Sequence, residues 1–162
     1  MEYHETIIVG GGPSGSSCAW KLQQAGRDVL ILDKAKFPRL KLCAGWIPSD
    51  VFRDLELTPV DYPHSLLKLS TRLYVAPIPF ALMPWPTREI DYSIRRIEFD
   101  HWLLQRSGAD FKVHQVNHIE RQAGHYILDG QFACQYLIGA GGNACPVSRQ
   151  LFPTQRLRHV KF

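Results

Sequence analysis

The sequence predicts an α/β fold in which a parallel sheet with one crossover helix is followed by a β-meander. Three observations carry that prediction. Two short apolar runs, Thr6-Ile7-Ile8-Val9 and Val29-Leu30-Ile31-Leu32, have the composition of strands buried on both faces. Between them Cys18, Ala19, Leu22 and Ala25 recur at helical spacing. Beyond residue 110 the pattern changes to short strands, two of them joined by an Asp129-Gly130 turn.

Taken in order, the first run ends in glycines, the expected exit of a parallel strand into a helix. The helix is predicted over residues 14–25, with Gly26 where a left-handed stop belongs, and the second strand over 28–33. Residues 34–48 are irregular, and 49–55 predict a short helix capped by Ser49. Prolines are dense over 59–88, which reads as an excursion from the parallel-sheet domain carrying two edge strands, 67–75 and 80–83. A helix over 97–107 buries the face of Phe99, Trp102, Leu103 and Arg106 and stops at Gly108. The meander is assigned to 111–119, 126–128 and 132–138, the last running into a second glycine cluster, Gly139-Ala140-Gly141-Gly142.

With 162 residues, 45% of them hydrophobic, the chain can bury a real core. Its nineteen Lys and Arg are dispersed and the net charge is +4, which lacks the basic stripe a nucleic-acid partner requires. Pro77, Pro79, Pro84 and Pro86 interrupt the longest apolar stretch, so no run reaches the roughly 18 residues of a transmembrane helix. Glu2 and Glu5 stand where a signal peptide would be basic, and a cytoplasmic location is expected. Cys18, Cys43, Cys134 and Cys145 have no metal-ligand spacing, so reduced thiols and no metal are expected. The histidines, His114 and His118 among them, read as solvated surface residues.

Gly10-Gly11-Gly12-Pro13-Ser14-Gly15 matches G-x-G-x-x-G between a strand and a helix. The first glycine allows the tight turn, the second lets the backbone approach a pyrophosphate, and the third lets helix and strand pack closely. Phosphates would meet N–H donors at the positive end of the helix dipole. Asp33 ends the second strand, where an acid hydrogen-bonds a ribose hydroxyl and repels a 2′-phosphate, so FAD or NAD is favoured over NADP.

The combination of Gly10, Gly12, Gly15, Ala19, Gly26 and Asp33 with three further motifs resembles a flavoprotein group. It includes the geranylgeranyl reductases, the FixC-type electron-transfer dehydrogenases and, more distantly, para-hydroxybenzoate hydroxylase and the flavin halogenases. The motifs are Phe37-Pro38-Arg39-Leu40-Lys41-Leu42-Cys43-Ala44-Gly45, Arg96-Ile97-Glu98-Phe99-Asp100-His101-Trp102-Leu103 and Val113-His114-Gln115-Val116. The resemblance implies FAD as cofactor, with Pro13, Ser14 and Lys34 completing the adenosine-diphosphate site and Arg39 near adenosine or pyrophosphate. It places Cys43 and Ala44 beside the ribityl chain or isoalloxazine, Arg96 on phosphate or ribose oxygens, and Val116 on the adenine edge. Asp100 falls in a first helical turn, where a structural role is at least as well founded as a functional one. The family's G-A-D-G is here Gly139-Ala140-Gly141-Gly142, with Gly141 in place of the acid and still suited to close backbone approach.

The implied activity is oxidation–reduction by bound FAD, with reduction of a C=C bond in an apolar, isoprenoid-like substrate as the leading reaction and NAD(P)H or a reduced carrier as donor. The alternatives are an FAD-dependent monooxygenase or halogenase, and a non-catalytic nucleotide-binding fragment. No catalytic residue is assigned beyond Cys43 as a candidate. The expected organisation is a discontinuous FAD-binding domain of residues 1–57 and 92–150, a partial substrate-domain excursion of 58–91, and a truncated C-terminal segment of 151–162.

Overall fold

The computed structural model describes residues 1–69 and 91–153. They fall into two units, one of residues 1–39 and 100–153, the other of residues 40–69 and 91–99.

The first unit is built on β1 (Glu2–Val9), α1 (Pro13–Gln24) and β2 (Val29–Asp33), the βαβ unit expected from the paired apolar runs. Ile7, Ile8, Leu30, Ile31 and Leu32 have no exposed surface, as strands covered on both faces require. α1 stops before Gly26, and the N–H groups of Gly26 and Arg27 return to the carbonyls of Gln23 and Leu22, a Schellman closure. Numbering the remaining strands in chain order, β6 (Asp110–Val113), β7 (Ile119–Gln122), β8 (His125–Leu128) and β9 (Phe132–Gly139) complete a six-stranded sheet in the order β6-β2-β1-β9-β8-β7. The first four neighbours run parallel, and β8 and β7 are antiparallel to β9 and to each other.

One face of the sheet, Ile7, Val9, Leu30 and Leu32, packs with Val116, Ile119, Leu128, Phe132 and Cys134. Cys145 and Val147 join that cluster, Val147 from the short helix α4 (Pro146–Leu151). The other face, Ile8, Val29 and Ile31, packs with Ala19 of α1, Phe37 and Leu104 of α3 (Arg96–Ser107). Successive residues of β1 and β2 therefore feed opposite cores, which fixes their register.

The second unit holds β3 (Trp46–Ile47), α2 (Asp50–Asp54), β4 (Leu66–Leu69) and β5 (Asp91–Ile94), its strands forming an antiparallel sheet in the order β3-β5-β4. Its core is aromatic: Phe52 meets Tyr92 edge-on at 5.0 Å, and Tyr62 meets Phe99 at 5.6 Å.

The structure corrects several expectations. The stretch 111–119 is not one strand of the meander. Its first part is β6, a parallel edge strand beside β2, and its last residue opens β7. The break occurs because the N–H groups of Asn117 and His118 turn away to the Asp129 carboxylate, at 3.1 and 2.8 Å, while Val116 folds into the core. The meander is instead β7-β8-β9. Ser49 has helical backbone angles and makes no capping hydrogen bond to α2. His4 is a buried histidine, held by Asp28 and Glu2, and His114 is drawn in by Asp129 at 2.8 Å. The edge strand expected over 67–75 is seen as β4, its remainder and the strand expected over 80–83 lying outside the described residues. No described helix is long and apolar enough to cross a membrane.

Candidate functional site

In the first unit, β1 lies between β2 and β9, so its C-terminal end is the point where the strand order reverses. Open parallel sheets take ligands in the crevice outside the strand ends at such a point. The glycine-rich turn occupies this position. The Gly10 N–H donates to the Leu32 carbonyl and the Ala140 N–H to the Val9 carbonyl, both at 2.8 Å, so the turn is tied to the strands on either side.

Each glycine has its own constraint. A Cβ on Gly10 would stand 2.5 Å from the Ala140 carbonyl, and one on Gly15 would stand 1.8 Å from the Gly10 oxygen. Neither tolerates a side chain without moving backbone. At Gly12 the only group among the described residues that a Cβ would approach is the Arg39 guanidinium, at 3.4 Å. The bare face of Gly12 is thus turned toward a cation and away from packed backbone.

α1 begins directly on this turn, with Gly12 at its N-cap and Pro13 at its first position. No side chain caps it and its first turn contains no acid, so its leading N–H donors and the positive end of its dipole are left for an anion. Ser14 is exposed there, as is Lys34 just beyond β2. These features fit the diphosphate of a dinucleotide: a backbone cradle without side chains, a helix N-terminus without its own carboxylate, and a guanidinium beside it.

Asp33 ends β2 half-buried. The Gly11 N–H donates to its Oδ2 at 2.8 Å and the Ala35 N–H to its Oδ1 at 2.9 Å. Its carboxylate therefore braces the turn, and each oxygen keeps a second lone pair for a ribose hydroxyl. Three residues that support the turn were not assigned a part from sequence. Ser16, fully buried, donates from Oγ to the Gly11 carbonyl at 3.0 Å. Phe37 packs its ring where a Gly11 Cβ would come within 3.3 Å. Asp100, also fully buried, places Oδ2 3.7 Å from the Arg39 Nη2, and Arg39 in turn lies over the Phe37 ring at 4.8 Å. Ser16, in the first turn of α1, carries no spacing signal of its own, and Phe37 and Asp100 stand in two separate motifs; only the fold joins the three.

The structure thus brings Gly10, Gly12, Gly15, Asp33 and Arg39 together around one turn, with Gly141 at the end of β9. A Cβ on Gly141 would come 3.1 Å from Cys145 Cα, so the position where the family has an acid is narrowed by the chain leading into α4. Val116 is buried in the core, leaving only its backbone for a ligand, and the adjoining His114 N–H donates to the Asp33 carbonyl at 2.8 Å. Cys43, Ala44 and Arg96 belong to the second unit. Cys43 and Ala44 are exposed, and Arg96 is half-buried. The Gly45 N–H donates to the Cys43 Sγ at 3.5 Å, and Gly45 is pressed on β5, where a Cβ would lie 2.0 Å from the Ile94 oxygen. None of the four cysteines is in a disulfide, and burial pushes the Cys134 thiol up to about 11.

Fold and turn together define a Rossmann-type dinucleotide-binding domain. A family model described as an NAD(P)-binding Rossmann-like domain matches residues 8–73. The geranylgeranyl diphosphate reductase of Rhodobacter capsulatus is 38% identical over 140 residues, covering 79% of this chain and 32% of that protein. Among solved structures, the flavin-dependent halogenase CmlS superposes with a TM-score of 0.71 at 24% identity, over 93% of this chain and 31% of that one. The halogenase PltM, in complex with phloroglucinol and FAD, gives 0.65 at 20% identity, over 91% and 36%. Over most of its length the chain is thus similar to part of a geranylgeranyl diphosphate reductase, and it shares its fold with flavin-dependent halogenases. It spans about a third to two-fifths of the length of the curated relatives it matches.

Proposed function

We propose that this chain is the FAD-binding part of a reductase that saturates C=C bonds in an apolar, isoprenoid-like substrate. The observation that carries the FAD site is the turn itself: Gly12 is bare, α1 is uncapped and free of acid in its first turn, and Asp33 stands at the end of β2. The choice of reductase rests on the Rhodobacter relative. In this reading Gly12, Pro13, Ser14 and Gly15 hold the diphosphate at the head of α1. Asp33 accepts from a ribose hydroxyl, with Lys34 close by. Val116 offers its backbone to the adenine edge, and Gly141 allows close backbone approach just beyond β9. Arg39 neutralises diphosphate charge, Arg96 binds phosphate or ribose oxygens, and Cys43 and Ala44 flank the flavin end.

When bound, FAD supplies hydride transfer, and the protein binds, orients and tunes it. NAD(P)H or a reduced carrier is the proposed donor. Residues 1–57 and 92–150 form the FAD-binding domain and 58–91 part of a substrate-binding excursion. The four thiols are those of a protein kept in the reducing cytoplasm.

A second reading, oxygen-dependent hydroxylation or halogenation, draws on the fold shared with CmlS. Anaerobic incubation of the FAD-loaded protein with dithionite and an isoprenoid alcohol or diphosphate separates the two. A product heavier by one or more hydrogen pairs supports the reductase. Turnover that needs oxygen, with or without halide, and never occurs anaerobically overturns it.

A further inference from the structure

We propose that Asp100 is a positioning residue, which holds Arg39 over the glycine turn so that its guanidinium clamps the diphosphate of the bound dinucleotide. The inference rests on the dinucleotide reading of the turn and adds to it a residue that contacts no ligand.

The geometry runs through three contacts within one unit. Asp100 has no exposed surface, yet it carries a carboxylate, and a buried carboxylate is costly unless a cation or donors offset it. Arg39 Nη2 lies 3.7 Å from its Oδ2, close enough for charge attraction and too far for a hydrogen bond. The guanidinium is therefore held in place electrostatically while keeping N–H donors for another acceptor. The Phe37 ring, 4.8 Å below, restricts it from the side, and the ring is itself buried in the core between α1 and β2. The same Nη2 is what a Gly12 side chain would meet at 3.4 Å. Two elements distant in sequence, the segment after β2 and the first turns of α3, thus fix one cation against the second glycine of the turn, where the backbone approaches a pyrophosphate. A forked guanidinium suits two phosphate oxygens, and its anchoring beforehand lowers the entropy lost on binding.

The test measures binding of ADP, AMP and adenosine to the 162-residue chain by calorimetry, in wild type, R39Q, D100N and the double variant. Wild type should prefer ADP to adenosine. R39Q should lose about tenfold in ADP affinity, the scale of one charge-assisted hydrogen bond, with adenosine unchanged. D100N should reproduce that selective loss, and the double variant should be no worse than either, because both changes remove one interaction. Salt should weaken ADP binding to wild type more than to R39Q.

If D100N does not fold by circular dichroism, D100E takes its place; it keeps the charge, displaces the carboxylate by one methylene, and should show the same selective loss. Losses in D100N or D100E that fall equally on ADP and adenosine, or that add to those of R39Q, overturn the positioning role. An R39Q chain with wild-type ADP preference overturns the clamp while leaving the dinucleotide site standing. A wild-type chain that binds neither ADP nor adenosine overturns the dinucleotide reading and the clamp with it.

Discussion

Asp33 is asked to do two things at once, and its contacts separate them. Its two carboxylate oxygens already accept from Gly11 and Ala35, so removing it both takes away the proposed ribose acceptor and frees the turn. Asp33→Ala should weaken FAD binding by roughly 1.5–3 kcal/mol, the worth of a hydrogen bond to a charged group. Asp33→Asn keeps an oxygen for the Gly11 N–H and should retain more of the fold's thermal stability than Asp33→Ala while still losing affinity; equal melting temperatures for the two would remove the bracing role. Gly12 gives a sharper case. Among the described residues its added side chain would meet only the Arg39 guanidinium and no backbone, so Gly12→Val should fold with unchanged circular dichroism and yet fail to retain flavin. A variant that purifies with the visible absorption of bound flavin would place the phosphates elsewhere. Both residues were legible in the sequence because strand, glycines and acid stand in register. Asp100 was legible as a first-turn carboxylate within a family-like motif but not as a partner of Arg39, since its burial against Arg39 is a property of tertiary packing.

The same distinction holds for elements. Buried parallel strands announce themselves by continuous apolar runs, and β1, α1 and β2 follow the expected course. β6 and β7 did not, because the turn between them is made by a side chain, Asp129, whose own signal is that of a hairpin residue. Burial alone would raise the Asp129 carboxyl, but His114 and the N–H groups of His118 and Asn117 bring it below the usual range. Asp129→Ala should cost about 2 kcal/mol, the scale of lost hydrogen bonds to a charged group, measured by urea denaturation.

At the other end of the sheet, His4 of β1 sets Nδ1 2.9 Å from Asp28 and Nε2 3.0 Å from Glu2, while Lys112 of β6 donates to Glu2. Only the doubly protonated ring can donate to both carboxylates. Burial lowers the His4 pKa, and the two hydrogen bonds with their charges more than reverse this, so it is raised above 6.5. Glu2 is lowered from 4.5, chiefly by Lys112, and Asp28 from 3.8, chiefly by His4. The histidine's contribution is full below 6.5 and fades as pH rises through its raised value, whereas those of the carboxylates are full above 4.5 and 3.8 and fade toward acid. The melting temperature should therefore decline on the alkaline side of 6.5, and His4→Gln should flatten that limb. An identical alkaline decline in both proteins would exclude His4 as its source.

At the scale of the whole molecule, the residues proposed for FAD are divided between the two units. Gly10, Gly12, Gly15, Asp33, Arg39, Val116 and Gly141 belong to the first, and Cys43, Ala44 and Arg96 to the second. The glycine turn was legible because local geometry dictates it. The segment after Arg39 was legible only through its resemblance to a family, because Cys43 and Ala44 are exposed and no periodicity marks an exposed loop. This division has a measurable consequence. ADP should not draw on Cys43 or Ala44, whereas the flavin end should depend on them. Ala44→Val, or Cys43→Ser with it, should then leave ADP affinity within about twofold of wild type, the scale of surface changes away from a contact, while lowering FAD affinity and altering the quenching of flavin fluorescence. Equal loss of ADP and FAD in these variants would show that Cys43 and Ala44 support the diphosphate site, and unchanged flavin fluorescence with unchanged FAD affinity would remove them from the flavin's surroundings.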